Sequence, residues 1–433
     1  MNIRPFRAYR FNSSKVSDLS AVVAPPYDQI DSEIQSRLYA LHPWNVVRIT
    51  FGREEPGDNG ERNRYRRARE HLDRWLGEQV FVRDPEPAIY PYHQTYRVGE
   101  TTITRKGFIA LGELTDYEKR IVRPHERTHA KPKEDRLRLL EATSGDFGLI
   151  FMLVSDPNAE LLRAAAPPDG AHPIAEARDI RGEVHRLWRI SDPGRIASLQ
   201  ALMADKSVII ADGHHRYETA LAYRRTHPGA DFKLMAFFAL EAPGCTIFPN
   251  HRLVHDLPAF APEEMLARAE QWFEVTRFPA QEAPEAEGER LIERLASAAE
   301  AGRIAIGFVA GKTRWSAFLT LRPDATQRID WPPGKPEAWR RLSVSVLHEG
   351  LLRPLLGITD AELVAKTCVD YTAGAADAVR LTRAGRYQAA FLLHPTTQAE
   401  LKEIVETGEV LPQKSTHFYP KLLTGLVFSF VSE

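Results

Sequence analysis

Asp212-Gly213-His214-His215-Arg216 stands between an apolar run, Ser207 to Ala211, and a helix-forming segment, Tyr217 to Arg225. That order predicts a strand, a tight turn and a helix N-terminus, with two imidazoles, a carboxylate and a guanidinium gathered at the turn. The first N–H groups of a helix are unpaired and its dipole is positive there, so the place favours an anion. Gly213 lets the backbone approach a ligand closely. Arg216 can fork onto phosphate oxygens, and Asp212 can hold a divalent metal such as Mg²⁺ or a water bound to it. Capping the helix would need one such Asp and would leave two histidines and an arginine unexplained. The reading is a phosphate site, with Asp212 and His214 in the chemistry and Gly213, His215 and Arg216 around the phosphate.

A second charged turn lies upstream. Arg123-Pro124-His125-Glu126-Arg127-Thr128-His129 is followed by Lys131, Lys133, Asp135 and Arg136 at the start of a helix. Single Lys and Arg residues there read as a solvated loop. Glu126 differs, because it stands beside His125 and after a proline that fixes the backbone. A glutamate held near a phosphate donor can take the proton from a hydroxyl nucleophile. His125, Thr128 and Arg136 are candidate phosphate contacts.

The chain has 433 residues, which predicts two or three domains. With 57 basic and 58 acidic residues, a net charge of −1 argues against a protein held on DNA by a broad positive field. Two cysteines, Cys245 and Cys368, give neither a disulfide framework nor zinc spacing. No apolar run is long enough to span a membrane and the N-terminus lacks the apolar core of a signal peptide, so a cytoplasmic protein is expected.

Residues 1–95 read as an N-terminal α/β region, with an arginine-coated helix over Glu61 to Leu76 whose interleaved acids mark a solvated face. Residues 96–258 hold both motifs, with strands over Thr101 to Leu114 and Gly148 to Val154, a helix near Lys133 to Ala142, and a surface excursion near 156–182. Residues 259–433 read as a C-terminal α+β domain. Its expected elements are helices over Pro262 to Phe273, Glu289 to Ala298 and Arg341 to Leu356, a hairpin around Gly311-Lys312, and a strand over Tyr387 to Leu393. The fold class is α+β with mixed sheets. Arg252 at a strand end and Lys414-Ser415-Thr416 in a loop are further anion candidates, although Ser and Thr in turns commonly bond their own backbone.

The succession of a strand into Pro-His-Glu, a helix, then a strand into Asp-Gly-His-His-Arg and a second helix resembles the ParB/sulfiredoxin-like nucleotide-binding fold. The resemblance is closest to free-serine kinases, which phosphorylate L-serine with ATP, ADP or pyrophosphate. It implies Glu126 as base on the serine hydroxyl, and Asp212, His214, His215 and Arg216 as the phosphate and Mg²⁺ site. Some 80 residues separate the motifs, which implies a large insertion between 143 and 205. The whole chain is also similar to a long bacterial and archaeal family of unknown function labelled SpoOJ/ParB-like, through Val23 to Asp28, His125-Glu126 with Thr128, Lys133 with Asp135-Arg136, Ile210 to Leu221, Pro249 with His251-Arg252, and Pro412 to Thr416 with Tyr419 to Lys421.

The expected function is a Mg²⁺-dependent kinase of free L-serine or a similar small hydroxyl compound. The alternatives are a phosphatase of the same fold and a ParB-like nucleotide-binding, DNA-associated protein. Near-zero net charge and the lack of a helix-turn-helix after the motif speak against DNA. A sulfiredoxin-like enzyme would need a thiol where His214 stands.

Overall fold

The apolar run before the first motif forms the strand Val208–Asp212, which lies one strand in from the edge of a mixed sheet in the computed structural model. All residues are described except His129, Glu282, Ser432 and Glu433 and the side chains of Ala130, Lys131 and Pro132. His129 and the Lys131 side chain, part of the upstream charged run, therefore lie outside the described residues.

Among the described residues the chain divides into two compact units, Met1–Thr246 with Pro420–Glu433, and Ile247–Tyr419. The expected limits at 95 and 258 lie within the first and the second unit respectively. The last residues return to the first unit, where Ser429–Phe430 pairs with Gly145–Asp146 and Thr424 bridges Ala24.

The first unit's main sheet runs Val122–Arg123, Val208–Asp212, Ile150–Val154, Phe232–Ala239, Thr101–Glu113, Tyr90–Val98, Val184–Leu187, Ala175–Arg178, with Ile3–Arg4 also on Thr101–Glu113. Val208–Asp212 is parallel to Val122–Arg123 and antiparallel to Ile150–Val154. Ile150–Val154 is buried at every residue, as a central strand covered on both faces must be. The stretch expected as an insertion thus supplies this central strand, two strands at the far edge and the helix Pro193–Ala204. The excursion near 156–182 carries the helix Glu160–Ala164 and the strand Ala175–Arg178.

The helix Arg64–Gly77 buries Ala68, Leu72 and Trp75. Its outer arginines pair with acids, Arg69 with Asp73 at 2.8 Å and Arg67 with Asp58 at 2.6 Å, as a solvated face requires.

The second unit is built on an antiparallel sheet ordered Phe273–Pro279, Trp315–Leu321, Ala305–Ala310, Ala389–Leu393, His251–Val254, Val369–Thr372. Leu291 and Leu295 of the helix Pro284–Glu300, Val379 of the helix Ala375–Arg383, and Leu253, Val309 and Leu392 of the sheet share its core. Two expectations are corrected here. The helix starting at Pro262 ends at Ala269, because Phe273 already opens an edge strand. The helix expected over Arg341 to Leu356 starts at Ser343 and runs on to Leu356, but between Ser343–Leu347 and Arg353–Leu356 it widens into a π-helical turn, His348–Leu352. Pro354 has no N–H to give and its ring crowds the preceding turn, so the ladder widens there. Among the described residues no helix is long and apolar enough to cross a membrane.

Candidate functional site

The helix after Gly213 starts at His214 and runs to Thr226, three residues earlier than the sequence suggests. Gly213 completes the turn alone, with φ +99°, so the histidines and Arg216 occupy the helix's first turn rather than the loop. A side chain at Gly213 would be strained by that backbone and would also meet the Arg216 guanidinium at 3.1 Å. Gly148 is needed for the same neighbour, since a Cβ there would lie 2.9 Å from Arg216 Cδ. The helix is fixed at Tyr217, whose hydroxyl donates to the Thr115 carbonyl at 2.7 Å and accepts the Thr115 N–H at 2.9 Å.

Parallel pairing of Val208 with Val122 and Ile209 with Arg123 carries both chains in the same direction. Their following turns therefore open on the same side. The His125 N–H donates to His214 Nε2 at 3.3 Å, and the two rings meet edge to face with centroids 4.6 Å apart. His125 Nδ1 lies 2.5 Å from the Ile210 carbonyl, so that nitrogen carries the proton. Burial lowers the pKa of both imidazoles, His214 furthest, where the neighbouring His125 adds to the effect. Both are neutral at physiological pH. Glu126 follows directly on this contact, half-buried.

Asp212 holds two cations. Its Oδ2 is 2.5 Å from Arg216 Nη2 and its Oδ1 is 2.5 Å from Lys421 Nζ. Burial alone would raise its pKa, but the Lys421 ammonium and Arg216 guanidinium outweigh that and hold the carboxyl well below the usual range. Arg216 Nη1 also donates to the Leu149 carbonyl at 2.7 Å. Lys421 comes from the returning C-terminal segment, and no local motif around it marks it as a site residue. A carboxylate with both oxygens already on cations fits a directly bound divalent metal poorly, so the expected Mg²⁺ ligand is here the anchor of two positive side chains.

Beside Arg216 opens a cleft lined among others by Tyr27, Arg136, Asp146, Gly148, Thr219 and Lys233. The Arg136 guanidinium lies 4.1 Å from the Tyr27 ring centre and donates to the Thr50 carbonyl at 2.8 Å. Burial, helped by Asp28 and opposed by Arg216 and Arg136, pushes the Tyr27 hydroxyl up to about 12. Lys233 is paired with Asp146 and donates to the Gly148 carbonyl at 2.9 Å.

The other expected contacts are placed as follows. Thr128 donates to Glu218 at 2.6 Å, and Lys133 reaches the same carboxylate oxygen at 3.0 Å. The His215 carbonyl accepts the Thr219 hydroxyl at 2.7 Å. Arg252, Lys414, Ser415 and Thr416 belong to the second unit. There Arg252 is fully buried and donates to the Asn250 carbonyl, to the Gln413 carbonyl at 3.2 Å and to His348 Nε2 at 3.1 Å. Asn250 Nδ2 donates to the Lys414 carbonyl at 3.2 Å and the Thr416 carbonyl at 3.1 Å, and Ser415 donates to the Pro412 carbonyl at 2.5 Å. These bonds lock a loop, which is the commoner use of such residues.

The family DUF1015, described as a protein of unknown function, matches residues 3–345. The expected resemblance to a long family of unknown function is met by this match, and the ParB-like label is no part of it. No curated protein matches. Similar solved structures include a conserved hypothetical protein from Pyrococcus furiosus, at 16% identity and TM-score 0.35 over 73% of this chain and 95% of that one. Free serine kinase in complex with AMP matches at 16% identity and TM-score 0.36 over 73% of this chain and 92% of that one. SbnI with a C-terminal truncation, from Staphylococcus aureus, matches at 13% identity and TM-score 0.35 over 74% and 86%. Similarity this low assigns no function.

Proposed function

This chain belongs to the DUF1015 family of proteins of unknown function, and we propose that it is a phosphotransferase acting on free L-serine or a similar small hydroxyl compound. The observation that carries the reading is the meeting of two turns distant in sequence, with the His125 N–H on His214 at the N-terminus of one helix. The core would be of the ParB/sulfiredoxin-like kind, two strand-turn-helix units arranged about one phosphate.

In this reading ATP, ADP or pyrophosphate places its terminal phosphate at the N–H groups that begin the helix His214–Thr226. Arg216 and Lys421, held in place by Asp212, supply positive charge to the phosphoryl oxygens as the transition state forms. His125 and His214, neutral, donate or accept hydrogen bonds without adding charge. Glu126 takes the proton of the acceptor hydroxyl as its oxygen bonds to phosphorus, and the donor's bridging P–O bond breaks. Mg²⁺ would accompany the donor and screen its phosphate charge. Tyr27 and Arg136, in the cleft next to Arg216, would receive the amino-acid end of the acceptor.

The test is product formation. Purified protein with L-serine and each of the three donors is expected to yield O-phosphoserine with at least one of them. Donor consumption that is independent of any hydroxyl acceptor would point to the phosphatase reading, and tight binding to a particular duplex at physiological salt would point to the DNA-associated one.

A further inference from the structure

At the edge of the first unit's sheet the strands Ala175–Arg178 and Val184–Leu187 form a hairpin closed by residues 179–183. Asp179, Glu183 and His185 gather at its head, with one ligand-type atom from each lying within 4.8 Å of the others. The turn shapes the first of them. Asp179 Oδ1 accepts the N–H groups of Arg181 and Glu183, both at 2.9 Å, which leaves Oδ2 facing His185. The Asp179 N–H donates to the Glu183 carbonyl at 3.0 Å, so the two carboxylates are drawn to one end of the hairpin.

His185 is 0% exposed. Its Nδ1 lies 2.7 Å from the Tyr92 hydroxyl, which fixes the ring. Its Nε2 is buried and has no hydrogen-bond partner. The facing oxygen, Asp179 Oδ2, is 3.7 Å away, too far for a hydrogen bond. That separation suits two atoms bound to one ion, because ligands each about 2.0–2.2 Å from zinc stand roughly 3–4 Å apart. An unsatisfied, fully buried imidazole nitrogen aimed at a carboxylate is otherwise uncommon.

We propose that Asp179, Glu183 and His185 bind a divalent transition-metal ion, zinc best fitting the donors. Two carboxylates balance the ion's charge, and one imidazole nitrogen disfavours Mg²⁺ and Ca²⁺, which prefer oxygen alone. With the ion on Nε2, the Nδ1 proton is donated to the Tyr92 oxygen, the arrangement by which metal-binding histidines are usually oriented. Three protein ligands leave a further position for water.

The groups around this site also hold the returning C-terminal segment. The Tyr92 oxygen accepts the Leu423 N–H at 3.4 Å, and Gln94, whose Nε2 is 3.4 Å from His185 Nδ1, donates to the Lys421 carbonyl at 2.9 Å. The ion would thus steady the segment that carries Lys421 to Asp212, without sharing a residue with the phosphate site.

The test uses the full chain, stripped with a chelator and equilibrated separately with zinc chloride and manganese chloride, followed by metal analysis. The wild type is expected to retain one zinc ion per chain. Asp179→Asn, Glu183→Gln and His185→Gln are each expected to retain a tenth of that or less. Zinc should also raise the unfolding temperature of the stripped wild type and leave that of Glu183→Gln unmoved, a comparison that stands even where His185→Gln fails to fold. A wild type that retains neither metal overturns the proposal, as do Asp179→Asn and Glu183→Gln chains that hold as much zinc as wild type.

Discussion

Replacing Glu126 by Gln is expected to lower turnover about a hundredfold or more while leaving donor affinity within about twofold. The amide keeps the shape of the side chain and can still accept a hydrogen bond, but it cannot take the acceptor's proton. Glu126 follows the residue whose N–H meets His214, so it is carried to the helix N-terminus by the same parallel strand pairing that brings the two turns together. The measurement is steady-state product formation with separate calorimetric titration of the donor. Equal losses of turnover and donor affinity would mean that Glu126 supports the fold of the turn and is no base. Full activity in the variant would remove it from the chemistry.

Asp212→Ala is expected to destabilise the first unit by about 3–5 kcal/mol, the usual result of removing one partner of a buried charge pair. The side chains of Asp212, Arg216 and Lys421 are 13%, 9% and 15% exposed, so two cations would be left facing each other with little water to screen them. The readout is the urea midpoint at unchanged slope. Acid gives an independent check. The folded-state pKa of Asp212 is held below its unfolded value, so its contribution is fully present above about pH 4 and is lost as pH falls through the lower, folded-state value. Asp212→Asn should therefore lose part of the wild type's acid-dependent stability. A midpoint unchanged by both substitutions would show that Asp212 does not anchor the cations.

What the sequence makes legible is local. Gly213 with its flanking apolar run and helix announces a strand-turn-helix, because glycine alone accepts φ +99° beside a bulky guanidinium. His125-Glu126 reads as a second such turn. The contacts that complete the site depend on pairing far along the chain, which periodicity does not encode. Lys421 reaches Asp212 from a segment held where Thr424 bridges Ala24 and Ser429–Phe430 pairs with Gly145–Asp146. The central place of Ile150–Val154 is hidden for the same reason, since a short apolar run gives no sign of which strands will flank it. Arg252 and the Lys414-Ser415-Thr416 loop have a composition that suits an anion, which does not show that Arg252 and Ser415 donate to carbonyls of their own unit.

The central claim is that the two turns make one phosphate site whose charge comes from Arg216 and Lys421. Calorimetric titration with pyrophosphate tests it most directly, with Arg216→Lys and Lys421→Met beside the wild type. Arg216→Lys keeps the charge but loses the planar fork, and Lys421→Met keeps the stem but loses the charge. The account predicts one binding site in the wild type and affinity weakened about tenfold or more in each variant. A wild type that does not bind pyrophosphate, or variants that bind it as tightly as the wild type, would contradict it.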